Sequence, residues 1–444
     1  MKHIFFLAAS GAGVGLTSVS LGVVRALDRL GVRVAFYKPI SQNQLQPGEL
    51  DPSASFIFAS TGKKPPTSIM IHEADSYVRE DNIGDLLDRV VEKVAEAGEG
   101  ADVIIVEGLL PADGRTFNNR LNRMMASSLN ADVILVTTLE NETPQQFEQR
   151  LETVAALYGG IDHPQMIGCI INKIGKPRST AKSGVVPIVD SPEDAAGIEA
   201  TSAEEATATI ARLRETCSIF QTGDFDILGG IPSNQRLQSY RSIDVARHLG
   251  AEVLVAGDME TRRVYSIALC ARAVAHILHV FAPGALLIMP ADREDVIMAA
   301  SLAAINGVSL AGIVLTSASI IDKELLEICR KAFDTGLPVL KVPTGSYQTA
   351  LDLARMNTQV PRDDSARMNL VMDFIARNIF IEKLESRCKM EMAVRMSPAA
   401  FRHKLSTWAR IKQTHYFARR LRTTHDSSCR SLPSTKNRPL RIIR

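Results

Sequence analysis

The feature that most constrains this chain is a short apolar run, Ile4–Ala9, that passes straight into the glycine-rich stretch Ser10-Gly11-Ala12-Gly13-Val14-Gly15. A helical pattern follows at once, with apolar Val19, Val23, Ala26, Leu27 and Leu30, and Gly31 is placed to end it. The opening thus reads strand, glycine loop, helix, strand. Val32–Tyr37 predicts a second strand, and Val103–Val106, Val133–Val136 and Ile167–Ile171 predict three more, with helical patterns between them. Continuous β-branched runs alternating with helices predict a parallel sheet covered on both faces.

A second α/β unit is expected after Pro232. The pattern predicts a helix over Ser242–Leu249, a strand over Glu252–Val255, a largely helical stretch from Thr261 to Phe281, a strand over Ala285–Met289 and a helix from Asp292 to Asn306. Gly312–Leu315 and Pro338–Val342 predict further strands, with a helix near Lys323–Phe333 between them. A helical segment interrupted by Pro361 is expected to run to about Glu385.

Of the 444 residues, 45% are hydrophobic and 23% charged, which excludes a mostly disordered chain and supplies a sizeable core. No apolar run approaches the ~18–20 residues of a membrane helix. The N-terminal Met1-Lys2-His3 and its six apolar followers are read as a buried first strand, being shorter than the ~7–15 residues of a signal-peptide core. Six scattered cysteines with no CxxC spacing argue against a disulfide scaffold or zinc site and point to a reducing cytoplasm. The charge is split. From Phe401 to Arg444 there are 12 Lys and Arg against one acid, Asp426, whereas the whole chain carries 51 bases and 49 acids.

The chemistry-bearing motifs lie at strand ends. A phosphate-binding loop reads GxxxxGK[ST], with backbone N–H groups cradling phosphate oxygens at a helix N-terminus. Aligned on Gly15 and Thr17, this chain has Ser10 at the first glycine and Leu16 at the lysine. Gly11, Gly13, Gly15 and Thr17 therefore form either an anion or nucleotide pocket without its lysine, or a glycine turn kept for backbone geometry. Lys38, in Tyr37-Lys38-Pro39-Ile40, follows the second strand and is a candidate for the charge that Leu16 lacks, since the C-terminal strand ends of a parallel sheet share one crevice. Glu107, in Val106-Glu107-Gly108, is either a ligand for a metal ion or a solvated strand-end acid. Asn172, before Lys173, either bonds a base edge or caps the next turn. His276 and His279 lack a third ligand, and neither HExxH nor GxSxG occurs, so no catalytic residue and no metal site are assigned. Asp258, Glu260, Arg262 and Arg263 are read as a solvated strand-end charge cluster, with a switch or subunit contact as the alternative.

Glycine loop, Lys-Pro after strand two, Val-Glu-Gly, Asn-Lys and Leu228-Gly229-Gly230-Ile231-Pro232 occur in the order seen in the dethiobiotin synthetase-like branch of P-loop proteins, which this chain resembles. It resembles more closely the N-terminal part of the long form of bacterial phosphate acetyltransferase. The stretches that carry this are Val14–Gly22, with leucine at the lysine position, Phe36–Ile40, Asp244–Leu249, Gly257-Asp258, Thr261–Val264, Ala291–Arg293, Ala304–Val308 and Thr335–Val339. The second unit is similar to that family's DRTGG domain, with Asp292-Arg293 kept but Thr316-Ser317-Ala318 in place of Thr-Gly-Gly. If those glycines serve a turn of positive φ, serine and alanine make it costlier.

The resemblance implies four segments: a P-loop-type domain over 1–232, a DRTGG-like α/β domain over 233–348, a helical linker over 349–410 and a basic, disordered tail over 411–444. In that family a separate C-terminal domain converts acetyl-CoA and phosphate to acetyl phosphate and CoA. The approach Ser397–Arg410 is present, but the run Thr414–Arg420 stands where that domain's start is expected, and it reads as an out-of-frame translation. The resemblance therefore implies a truncated, inactive regulatory and oligomerising region. No firm cofactor is expected beyond a weakly bound nucleotide effector, and no nucleic-acid or membrane partner, only a homo-oligomer and a small anionic metabolite or nucleotide. The rival readings are an ATP-dependent ligase of the dethiobiotin synthetase type, against which Leu16 argues, and a stand-alone nucleotide-sensing module.

Overall fold

The computed structural model describes residues 2–46, 48–111, 117–139, 142–175, 202–221, 223–234, 237, 239–317, 323–356 and 359–388. The basic tail, 411–444, and the 389–410 part of the expected linker lie outside the described residues.

The first unit carries β1 (His3–Ala9), β2 (Val34–Tyr37), β3 (Ile40–Ser41), β4 (Ile69–Met70), β5 (Val103–Glu107), β6 (Asp132–Thr138), β7 (Met166–Ile174) and β8 (Asp226–Pro232). Six of these form a parallel sheet in the order β2-β5-β1-β6-β7-β8. Alternation along β1 explains the layering. Phe6 and Ala8 enter one apolar layer, while Phe5, Leu7 and Ala9 enter the other. Both faces being covered, strands such as β5 are buried at every residue and read as continuous apolar runs. The glycine loop leads from β1 into α1 (Leu16–Asp28), whose apolar residues pack in the second layer. The expected first strand and first helix are thus found, shifted by one or two residues at their ends.

The second unit carries β9 (Tyr240–Arg241), β10 (Glu252–Val255), β11 (Arg263–Val264), β12 (Ser266–Leu269), β13 (Ala285–Pro290), β14 (Gly312–Thr316) and β15 (Val339–Lys341). Its five-stranded sheet runs β10-β15-β14-β13-β12, parallel except for β10. The helical expectation for Thr261–Phe281 is corrected here. The segment holds β11, β12 and two short 3-10 turns, Val274–His276 and Leu278–Val280. A short apolar run fits a buried strand as well as a helix, and the edge of β13 decides by pairing with Ser266–Leu269.

Residues 349–388 differ from the linker expectation. The Ser346–Ala354 helix contributes Ala350 and Leu353 to the second unit's core. The chain then returns to the first unit. The Ser365–Ala376 helix places Met368, Val371, Met372 and Ile375 in the same apolar layer as α1, and the Ile381–Cys388 helix adds Leu384. Gly22 makes the helix crossing possible, because a Cβ there would lie 2.3 Å from Ile375 Cγ2. Arg29 binds Asp373 at 2.6 Å and Arg25 binds Asn369 at 2.8 Å along the same seam. The apolar spacing of Met368, Val371, Met372 and Ile375 is that of a helix with one buried face, so a core role was readable in it.

The charge cluster at 258–263 is also less solvated than expected. Arg262 reaches the carbonyls of Leu310 and Thr335, and Arg263 pairs with Asp364. Ser317 has φ 72°, so the turn that would suit glycine is held by an L-residue in the left-handed region, at a cost of about 1–3 kcal/mol. Ala318 lies outside the described residues. Arg293 holds the carbonyls of Ala271 and Arg272 and pairs with Asp295 at 2.9 Å, which is a positioning role within the second unit.

Candidate anion site at the glycine loop

The loop after β1 needs its glycines. Gly13 and Gly15 have φ of 72° and 81°, and Gly15 is the N-cap of α1 in the left-handed region. A Cβ on Gly15 would meet Asn172 Nδ2 at 2.5 Å. Asn172 is engaged by the loop itself. Its Nδ2 donates to the Val14 carbonyl at 2.8 Å and its Oδ1 accepts from the Lys173 N–H at 2.9 Å. Lys173 Nζ donates to the Gly13 carbonyl at 2.8 Å, and burial pushes its pKa down. The end of β7 therefore clamps two loop carbonyls. These contacts favour the turn-holding alternative for Asn172 over contact with a base edge. Ser10, at the position of the first motif glycine, donates to Thr137 Oγ1 at 2.9 Å, and Arg150 donates to both hydroxyls.

Leu16 is buried. It is 1% exposed and lies in the apolar layer with Val14, Val19, Met368 and Val371. That packing explains the absence of a lysine in local terms: an ammonium at Leu16 would start from an apolar cluster. Leu16→Lys is expected to lower stability by about 2 kcal/mol, because the stem retains part of the leucine contact while the ammonium must snorkel toward the cavity. A denaturant midpoint unchanged from wild type would overturn this expectation.

Lys38 and Glu107, paired by the topology at the ends of β2 and β5, meet in a buried cluster. Lys38 Nζ lies 2.9 Å from Glu107 Oε1 and 3.8 Å from Asp51 Oδ1. Thr17 Oγ1 donates to the same Glu107 oxygen at 2.8 Å. Lys38, Glu107 and Asp51 are 4%, 1% and 0% exposed. Burial works against the Lys38 charge, but Glu107 and then Asp51 outweigh it, and its pKa stands above the ordinary lysine value. For Asp51, burial works against the charge, while Lys38 and bonds from Ser41, Asn43 and the Ser53 N–H hold its pKa below the ordinary range. Two carboxylates face one ammonium, so Lys38 is already committed. It does not simply stand in for a loop lysine, and the solvated-acid reading of Glu107 is excluded by its burial.

Asp51 is the site residue that the sequence reading missed. Its signal was local: an aspartate before Pro52 is an N-cap followed by proline at the first helical position, and Asp51 caps the Pro52–Thr61 helix. Nothing in that spacing told that the strand-two lysine would lie against it.

Beside this cluster is a cavity of about 360 Å³. The loop and the start of α1 contribute Gly13, Gly15, Leu16, Thr17 and Ser18, and the strand ends contribute Lys38, Asn172 and Lys173. The Ser365–Ala376 helix supplies another wall through Arg367, Met368, Val371 and Phe374. Gly11 does not line it. Phosphate-sized anions suit the free N–H groups at the start of α1, and the apolar walls suit a ligand with a less polar body.

Comparison with known proteins agrees with this architecture. The AAA domain family model matches residues 3–241, and the DRTGG domain model matches residues 244–356. The chain is 40% identical over 405 residues to phosphate acetyltransferase of Pseudomonas aeruginosa, covering 91% of this chain and 54% of that protein. It is 40% identical over 403 residues to phosphate acetyltransferase of Pseudomonas putida, covering 90% and 54%, and 34% identical over 415 residues to that of Escherichia coli, covering 92% and 56%. The chain thus spans about half the length of the curated relatives it matches.

Proposed function

We propose, from the premise that this chain belongs to the AAA domain family matched over residues 3–241, that its first unit senses a small anion or nucleotide without turning it over. We further propose that the chain is the regulatory and oligomerising region of a phosphate acetyltransferase, an activity that its relatives carry by name. The observation that carries the sensing reading is the pairing of an intact loop backbone with a buried, uncharged Leu16 and a committed Lys38. Free N–H groups at a helix N-terminus attract an anion. Phosphoryl transfer needs more: a cation aimed at the developing charge, whose loss costs about 3 kcal/mol or more in the transition state. The same point disfavours the ligase reading. Five described cysteines are buried and free, which supports a reducing compartment such as the cytoplasm. Among the described residues no helix is long and apolar enough to cross a membrane.

The test is an assay of the purified chain. No acetyl phosphate is expected from acetyl-CoA and phosphate, and ATP turnover is expected to be negligible. Acetyl phosphate above a blank, or ATP turnover near about 1 per second, would overturn the reading. Light scattering is expected to show a mass above that of the monomer. Calorimetry with ATP, NADH and inorganic phosphate at millimolar concentration tests the anion site itself, and no heat with any of them would favour a purely structural loop.

A further inference from the structure

The cavity at the glycine loop belongs to more than the P-loop-type unit. Its other wall comes from a helix some 350 positions later in the chain. In the first turn of that helix stands Arg367. It is 4% exposed, it lines the cavity with Gly13, Gly15 and Thr17, and its Nε donates to the Leu237 carbonyl at 2.8 Å. The Leu237 carbonyl and the Asp364 carboxylate offset part of the cost of burying this charge, and the residue borders the same cavity as the loop.

Resting on the anion-sensing reading, we propose that Arg367 is the cationic partner of the anion, supplied to the loop from the Ser365–Ala376 helix in place of the lysine that Leu16 replaces. The ligand class is a phosphorylated small molecule with a partly apolar body. Its phosphate meets the N–H groups of α1 and the guanidinium, and its body lies along Phe56, Val371 and Phe374. A guanidinium suits this place because its planar fork matches phosphate oxygens and it is more weakly hydrated than an ammonium.

The arrangement also sets what the ligand acts upon. Arg367 follows Asp364, the N-cap of its helix, which accepts from the Arg367 N–H at 3.1 Å and binds Arg263 of the second unit at 2.7 Å. The neighbouring Asp363 accepts from Arg241 at 2.8 Å and from Arg247 at 2.9 Å. An anion drawn to Arg367 therefore bears on the helix that ties the two units together.

The experiment is calorimetry with ATP and with pyrophosphate on the full chain, wild type and Arg367→Met, with Arg367→Lys as the charge-keeping variant. Arg367→Met is expected to weaken ATP binding at least tenfold, and Arg367→Lys by less. Binding by a folded Arg367→Met within twofold of wild type overturns the proposal. Hydrogen exchange on wild type with ATP provides a test that needs no variant. Slowed exchange in both 13–18 and 365–376 supports the composite site. Slowing at 13–18 alone overturns the role of Arg367 while leaving the anion-sensing reading in place, and slowing at neither segment overturns both.

Discussion

Lys38→Met is expected to destabilise the chain by about 3–5 kcal/mol, the size of effect seen when one member of a buried ion pair is removed. The substitution nearly preserves volume, so the loss is electrostatic. It leaves Glu107 and Asp51, 1% and 0% exposed, as two buried carboxylates facing each other without their ammonium. Asp51 retains bonds from Ser41, Asn43 and the Ser53 N–H, whereas among the described residues Glu107 keeps the Thr17 hydroxyl on its Oε1 and has no partner on Oε2. The double variant Lys38→Met, Glu107→Gln is expected to recover part of the loss, because removing both charges of a buried pair costs less than removing one. Chemical denaturation measures both. A single variant within about 1 kcal/mol of wild type would mean that solvent reaches this cluster.

The pH dependence follows in sign. The Lys38 pKa is raised in the folded chain, so its contribution is complete below the unfolded lysine value of 10.5 and fades as pH rises above it. The Asp51 pKa is lowered, so its contribution is complete above the unfolded value of 3.8 and fades as pH falls below it. The stability difference between wild type and Lys38→Met is therefore expected to shrink as pH rises above 10.5.

Much of the fold was legible because a parallel sheet buries both faces of its strands. β1, β5, β6 and β7 each read as an uninterrupted apolar run, and the Ser242–Leu249 helix was bounded to the residue. Thr261–Phe281 was misread because its alanine-rich second half has helical composition, while its first half is recruited by the free edge of β13. That competition is tertiary and leaves no local mark. The site was legible at the level of motifs: loop, Lys38, Glu107 and Asn172 do converge at the ends of β1, β2, β5 and β7. What each residue does there was not. Whether Lys38 faces a ligand or a carboxylate depends on Asp51, thirteen positions away in a loop, and Asn172 could be assigned to the turn only once Val14 stood within 2.8 Å of it. The return of residues 365–388 to the first unit was the hardest feature, since an amphipathic helix announces a buried face but not the surface that buries it.

That returning helix gives the second large effect. Asp364→Ala is expected to cost about 4 kcal/mol and to loosen the two units from one another. Asp364 is 2% exposed and performs two tasks at once. As N-cap of the Ser365–Ala376 helix it accepts from the Arg367 N–H, which is worth about 1 kcal/mol. It also holds Arg263 through both carboxylate oxygens and lies 3.8 Å from Arg241. Truncation leaves Arg263, one-fifth exposed, without that counter-charge, and stranding one member of a partly buried pair in this way costs about 3 kcal/mol. Burial works against the Asp364 charge while Arg263 and the Arg367 N–H hold its pKa below the ordinary range, so this contribution is present above pH 3.8 and is lost as pH falls below it. Asn at 364 separates the two tasks, because it caps a helix nearly as well as aspartate but carries no charge. Asp364→Asn is therefore expected to recover only about 1 kcal/mol of the loss. If Asp364→Asn matched wild type in denaturation, the cap alone would account for the residue, and the ion pairs joining the units would contribute little to holding the helix over the glycine loop.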